Sequence, residues 1–176
     1  MQTLHVRVQN RVLDTPKIIR LELVSTDGQS LPEFSAGAHI DVHLASGLIR
    51  QYSLTNSARD TSRYILGVLL DPGSRGGSDG MHRLQVGDCL DISPAKNHFA
   101  LQPNNRTVLV AGGIGITPLL SMAEQLLEAG SEFDMHVCTK SRELTPFINR
   151  LLAADLAPHV HLHHTEGDPL KRVDFL

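Results

Sequence analysis

The sequence predicts two folded units of different class, a six-stranded antiparallel β-barrel followed by a partial parallel α/β lobe of βαβαβ form. Three observations predict this. Up to about Leu101 the chain runs in short alternating apolar and polar stretches separated by turn residues. Beyond the polar stretch Gln102 to Arg106, strand-like runs alternate with helix-spaced ones. At the head of that second part stands TVLVAGGIGITPLLSMAEQLLEAG, Thr107 to Gly130, in which an apolar strand breaks into glycines and resumes as a helix.

Composition narrows the partners. With 176 residues, 41% of them hydrophobic and 20% charged, the chain falls in the ordinary globular class and can bury a real core. The net charge of -3 is spread without a basic stripe, which argues against nucleic acid and against an anionic membrane surface. No apolar run approaches a membrane span and no leader-like segment opens the chain, so a cytoplasmic location is expected. Cys89 and Cys138 stand far apart, neither a disulfide framework nor a metal-ligand spacing.

Taken in order, LHVRVQNRVLD, IIRLELVST, HIDVHLASG, LIRQYSLTN, RYILGVLLD and DCLDISPA each read as a strand, with Thr15-Pro16, Asp27-Gly28 and Ser46-Gly47 as punctuation. Six strands at this spacing suit a small antiparallel barrel over residues 1–102. Between the fifth and sixth, a glycine loop precedes a short helix anchored by Met81, Leu84 and Val86, which would close one barrel end. Cys89 falls in an apolar strand and reads as packing. In the second unit, residues 107–176, Val108 to Ala111 reads as a buried strand, and Leu119, Leu120, Ala123, Leu126 and Leu127 recur at helical spacing. FDMHVCTK (strand), LTPFINRLLAA (helix) and HVHLHH (strand) follow, giving parallel strands with right-handed crossovers. Glu132 and Asp134 read as a solvated strand entrance, and Glu166 to Pro169 as a loop. Three strands are few for a nucleotide-binding lobe, so the lobe reads as incomplete, with an open sheet edge through which the chain would associate with a partner or with itself.

Three stretches carry chemistry. In RQYSLTN, Arg50, Tyr52 and Leu54 point to one strand face and Gln51 and Ser53 to the other. An arginine beside a tyrosine can pair with a phosphate while the ring lies against a flat ligand; the alternative is an exposed strand whose tyrosine only covers the barrel. In SRGGSDG the successive amides of Gly76 and Gly77 and the hydroxyl of Ser78 suit an anion, with a plain loop as the alternative. AGGIGITP joins a strand to a helix, where backbone amides can meet a phosphate, although a tight turn needing small residues reads equally well from this motif alone.

In that order, RQYSL, RGGS and AGGIGITP resemble the ferredoxin–NADP reductase superfamily, and more narrowly the group of phthalate dioxygenase reductases and vanillate O-demethylase reductase components. The resemblance implies a barrel that binds FMN and an α/β lobe that binds NADH, with NADPH left open because Arg142 could meet a 2′-phosphate. It implies that Arg50 contacts the FMN phosphate or ribityl chain, that Tyr52 lies against the isoalloxazine, and that Gln51 and Leu54 belong to the same cofactor site. Ser53 would donate near flavin N5, and Gly76, Gly77 and Ser78 would hold the FMN phosphate. Gly112, Gly113, Gly115, Ile116 and Thr117 would cradle the dinucleotide, Thr117 nearest the nicotinamide. Ser53 and Thr117 are thus the residues it places at the reacting end. Cys138 and Thr139 match the position beside the cofactor, and Ser141 and Arg142 the adenosine side.

The implied reaction is hydride transfer from NADH to FMN and single-electron delivery to an external iron–sulfur acceptor or oxygenase component of an aromatic-ring oxygenase or demethylase system. Family members carry a further Cys-Gly-Pro strand and a [2Fe–2S] domain with four cysteines; this sequence has neither, and its two cysteines cannot ligate such a cluster. Two alternatives stay open: a non-catalytic FMN-binding truncated paralogue or fragment, and a short NAD(P)H:flavin reductase. His161 and His163 share a strand face, but nothing at a helpful spacing completes a site, so no metal is expected.

Overall fold

The computed structural model describes residues 3–102, 104, 106–168, 171 and 173. Among these, six strands form one antiparallel sheet, β1 (Leu4–Thr15), β2 (Ile18–Ser25), β3 (His39–His43), β4 (Ile49–Ser53), β5 (Tyr64–Leu69) and β6 (Cys89–Ile92), in the order β4-β3-β6-β1-β2-β5. The outer strands meet through a bridge between Leu54 and Leu66 and a Thr55 N–H to Ile65 carbonyl bond of 3.0 Å, which closes the sheet on itself. Alternation explains the core: Ile19, Leu21 and Leu23 of β2, Ile40 and Val42 of β3, and Leu66 and Val68 of β5 all point inward and are buried. Gly47 turns the β3–β4 hairpin with φ of 80°, a conformation that favours glycine.

Helix α1 (Gly77–Arg83) caps the barrel. Met81 is fully buried, His82 Nε2 donates to the Val68 carbonyl (2.9 Å), and Arg11 donates to the His82 carbonyl (3.0 Å). Three expectations need correction here. Helix α1 begins inside the glycine motif, at Gly77 after left-handed Gly76, so the pair is a helix start and not a loop before one. Val86 is no anchor: it lies past the helix and is 59% exposed. Cys89 is also corrected, from packing to exposed, because Leu90 and Ile92 take the inward positions of β6.

The second unit holds three parallel strands, β7 (Thr107–Gly112), β8 (Phe133–Thr139) and β9 (Val160–His164), in the order β7-β8-β9. Helices α2 (Ile116–Glu128) and α3 (Ile148–Leu151) supply the crossovers. Ile116, Leu120, Ala123 and Leu126 pack on Leu109, Ala111, Met135 and Val137. Only that face of β7 is buried among the described residues; Val108 and Val110 on the other face are 57% and 46% exposed, which corrects the reading of a fully buried strand. The expected helix LTPFINRLLAA shrinks to α3, because Phe147 takes a left-handed conformation (φ 57°) after Pro146 and stops helical geometry there. Asp134 is likewise no free surface carboxylate: Arg106 (2.7 Å) and His161 (3.0 Å) both reach it. The end of the second unit, with Pro169, lies outside the described residues. No described helix is long and apolar enough to cross a membrane.

The two units pack closely. Gly37 N–H donates to Ser121 Oγ (3.0 Å), Arg59 pairs with Glu128 (3.1 Å), and Phe147 N–H donates to Asp14 Oδ2 (2.6 Å). A side chain at Gly37 would collide with the Phe99 carbonyl at 2.0 Å, so glycine is what permits the approach of the Phe99 segment.

Candidate functional site

A cleft of about 630 Å³ opens between the units. Such a volume is ordinary for small-molecule sites, about 300–1,000 Å³. Strand β4 contributes Arg50, Gln51, Tyr52 and Ser53, and β5 contributes Gly67 and Leu69. The segment leading into α1 gives Asp71, Ser74 and Arg75, the first turn of α1 gives Ser78, and the glycine turn and the first turn of α2 give Ile114, Gly115, Thr117 and Pro118. All three sequence motifs therefore meet at one cavity, although they lie far apart in the chain.

Strand pairing explains the β4 wall. Tyr52 and Arg50 stand opposite buried Ile40 and Val42, while Ser53 and Gln51 stand opposite His39 and Asp41. Gln51 Nε2 donates to Asp41 Oδ1 (3.0 Å), and Lys96 clamps the same carboxylate (2.5 Å), holding it below the usual carboxylate range. Burial pushes the Tyr52 phenol up, with the Arg50 charge opposing, so it is a neutral donor at ordinary pH. Arg50 donates to the Ile49 carbonyl (2.8 Å) and runs across Gly77, where an added Cβ would stand 2.4 Å from its Nε.

The cleft lining is of two chemical kinds. Arg50, Arg75, Ser74 and the loop before α1 offer cation and donors. Tyr52, Leu69, Ile114 and Pro118 offer apolar and aromatic surface, and Ser53 and Thr117 supply hydroxyls from opposite units. This suits a ligand with an anionic tail and a flat body. Ser78 is turned away from solvent: its hydroxyl is shared with the Asp71 backbone, accepting from the N–H (3.1 Å), and its own amide donates to Ser74 Oγ (3.2 Å). The Asp71 carboxylate is in turn occupied by the Gly73 N–H (2.9 Å). Thr117 Oγ1 donates to the Ile114 carbonyl (3.1 Å).

Not every expected residue lines this cleft. Leu54 and Ile116 are wholly buried in the two cores and do not line the cleft. Gly77 lies behind Arg50 and Gly76 beside Leu48, while Gly112 and Gly113 lie at the β7 turn with open space where a Cβ would stand. Cys138, Thr139, Ser141 and Arg142 belong to the end of β8 and the turn after it. Thr139 Oγ1 is bonded to Thr145 Oγ1 (2.8 Å) and the Ser141 carbonyl (3.1 Å), and burial raises the Cys138 thiol.

Sequence reading missed Gly67, Ser74, Arg75 and Pro118. A glycine inside an apolar strand, as in YILGVLL, was the available signal for close approach. It also missed His39, which lines a smaller cavity of about 240 Å³ continuing past Gln51, Ser53 and Pro118. His39 Nε2 is buried without a hydrogen-bond partner, and burial keeps the imidazole pKa below its ordinary value. Away from the cleft, His161 and His163 do share a face, joined by His136, whose Nδ1 lies 2.9 Å from His163 Nε2. Among the described residues no group of three or more His, Cys, Asp or Glu side chains is arranged to hold a metal ion.

No family model matches the chain. It is 46% identical over 159 residues to vanillate O-demethylase oxidoreductase of Pseudomonas sp. (strain HR199 / DSM 7063), covering 89% of this chain and 50% of that protein. It is 37% identical over 175 residues to phthalate dioxygenase reductase of Burkholderia cepacia, covering 98% of this chain and 54% of that protein. The solved structure of phthalate dioxygenase reductase, described as modular for electron transfer from pyridine nucleotides to [2Fe–2S], superposes with a TM-score of 0.95 at 36% identity, over 98% of this chain and 55% of that one. The chain thus spans about half the length of the curated relatives it matches.

Proposed function

We infer that this chain, a member of the ferredoxin reductase-like group that includes phthalate dioxygenase reductase, holds FMN on its barrel and takes reducing equivalents from NADH for an iron–sulfur acceptor. The observation that carries the reading is the convergence of Arg50, Tyr52 and Ser53 with the RGGS segment and with Gly115 and Thr117 at one cleft. The residues present fit the flavin, since Gly77 leaves room for Arg50 to lie flat, and Gly67 lets Thr117 of the other unit close up against β5 at the cleft.

When bound, the flavin accepts a two-electron hydride and releases electrons singly. The work of the chain is to bind, orient and exclude water. Arg50 and Arg75 neutralise the phosphate, with Ser74 and the amides around Gly76 and Gly77 as donors. Tyr52 and Leu69 present apolar surface to the ring, and the Ser53 hydroxyl marks its reacting edge. Gly112, Gly113 and Gly115 let the dinucleotide backbone come close, with Thr117 at the nicotinamide end, while buried Ile116 anchors the start of α2 beneath them. Cys138 and Thr139 would border the dinucleotide, and Ser141 and Arg142 its adenosine side, with Arg142 deciding how a 2′-phosphate is received. Its two cysteines, one exposed on the barrel and one half-buried in the lobe, cannot hold a cluster, so the acceptor's iron–sulfur ligands come from other sequence.

The same reading divides the chain into an FMN barrel, 1–102, and a nucleotide lobe, 107–176, and assigns the partner as an oxygenase component of the kind served by the relatives. The test is a visible spectrum of the purified protein with FMN, before and after anaerobic NADH. Bound flavin bleached by NADH supports the reading. Bound flavin that stays oxidised leaves the non-catalytic flavin holder, which one observation favours: Cys138, Thr139, Ser141 and Arg142 lie apart from the cleft wall. Rapid turnover of loosely held FMN marks a free-flavin reductase.

A further inference from the structure

We propose that Phe147 is an inter-lobe positioning residue: its ring wedges behind Gly67 in the cleft wall, its amide is latched by Asp14, and together they fix where the α/β lobe presents Thr117. The proposal rests on the proposed function only in placing Thr117 at the reacting end.

Three contacts meet at Gly67. A Cβ there would lie 2.8 and 2.9 Å from two ring carbons of Phe147 and 3.0 Å from the Thr117 methyl, so barrel strand, ring and helix are in direct contact at the cleft. Phe147 is 4% exposed and holds a left-handed φ of 57°, which a bulky residue rarely adopts without a compensating contact. The compensation is visible in the 2.6 Å bond from its N–H to Asp14 Oδ2, at the far end of β1 in the other unit. Phe147 is also tied to Thr117 through its own lobe. Arg150, three residues on, is gripped by both carboxylate oxygens of Glu124 on α2 (2.6 and 2.8 Å), and α2 carries Thr117 in its first turn. The ring also lines a cavity of about 390 Å³ between the units, walled by Arg20 and Ile65 of the barrel and by Leu120 and Glu124 of α2, into which the lobe could settle if the ring were removed. The wedge therefore holds the units apart at one defined spacing, and Asp14 stops them from sliding.

The test places nitroxides at Cys89, exposed on the barrel, and at Glu132→Cys on the lobe, in a Cys138→Ser background, and measures their distance distribution by pulsed electron resonance without added cofactor. The parent gives one narrow distance. Phe147→Ala broadens or shortens it, and Phe147→Leu returns it towards the parent. An unchanged narrow distance in folded Phe147→Ala overturns the proposal. Should that variant not fold, Asp14→Ala, which removes only the latch, is read in the same way. FMN affinity is measured separately and stays within about twofold in Phe147→Ala, since the flavin contacts lie on the barrel. At saturating NADH the flavin reduction rate falls roughly tenfold or more with little change in KM, as expected for misplacement rather than lost binding. A parent that binds no FMN defeats the proposed function and leaves the distance result to decide the wedge.

Discussion

Arg50 lies flat across Gly77, close enough that a methyl on Gly77 would stand 2.4 Å from its Nε and 2.8 Å from its Cγ. Two motifs separated in sequence are thus one device, an arginine and the glycine that lets it lie there. Because the obstructed atoms belong to a long flexible side chain, Gly77→Ala should fold normally and displace the guanidinium. FMN affinity should fall about as far as in Arg50→Ala, by about 1.5–3 kcal/mol or roughly ten- to a hundredfold. The double variant should be no worse than either single one, since both remove the same contact. Fluorescence titration of FMN into the three variants checks this; additive losses would mean that Gly77 acts independently of Arg50.

Tyr64 tests the barrel core. Its ring is fully buried against Phe34 in an edge-on contact with centroids 5.5 Å apart, and its hydroxyl donates to the Pro32 carbonyl at 2.5 Å. Burial pushes the phenol up to about 12, so it remains a donor throughout the working pH range. Tyr64→Phe keeps the ring and deletes the bond, leaving one carbonyl unpaired. The expected loss is about 1 kcal/mol, or a drop in Tm of about 2–4 °C for a chain of this size. A calorimetric scan at neutral pH reads it, and no change would mean that water satisfies Pro32 equally well.

Much of this was legible from local pattern. The alternation of Ile19, Leu21 and Leu23, the turn at Ser46-Gly47, and the switch from period two to helical period after Arg106 all report on neighbours close in sequence. What stayed hidden depends on distant partners. The conformation of Phe147 answers to Asp14, 133 residues earlier, and breaks a helix that its own sequence favours. Cys89 looks apolar in a string of letters, and only the pairing of β6 with β1 and β3 shows that Leu90 and Ile92 hold the inward places. Asp134 reads as a solvated entrance until His161 and Arg106 are seen to converge on it. The site followed the same division: the motif residues were legible, whereas Gly67 and His39 acquire meaning only from what the fold sets beside them.

Asp134 also gives the acid limb of stability a specific source. Hydrogen bonds from Arg106 and His161 lower its carboxyl from the ordinary 3.8 to about 2. A depressed folded-state value means that the carboxylate stabilises the fold fully above the unfolded pKa, and that this contribution is lost as pH falls through the folded one. The window is therefore about pH 4 down to about pH 2. In Asp134→Asn the slope of Tm against pH across that window should flatten, while Tm at pH 7 should fall only slightly, because the pair is exposed and screened. An unchanged slope would assign the acid sensitivity to other carboxylates.

Gly113 separates the two halves of the proposed site. It opens the turn between β7 and α2 with φ of 50°, and an added Cβ would meet nothing within 4 Å, so its side would project into the open mouth of the turn. Gly113→Val therefore has two effects that can be told apart. The left-handed conformation should lower stability by about 1–3 kcal/mol for a β-branched residue, seen in Tm without ligand. The isopropyl group should also obstruct close approach of a dinucleotide to the backbone, raising the NADH Kd while FMN binding, which depends on the barrel, stays unchanged. Gly113→Ala, with less bulk, should sit between the two. If NADH bound normally to a folded Gly113→Val protein, the turn would be a structural corner only, and the dinucleotide would have to be sought elsewhere on the lobe.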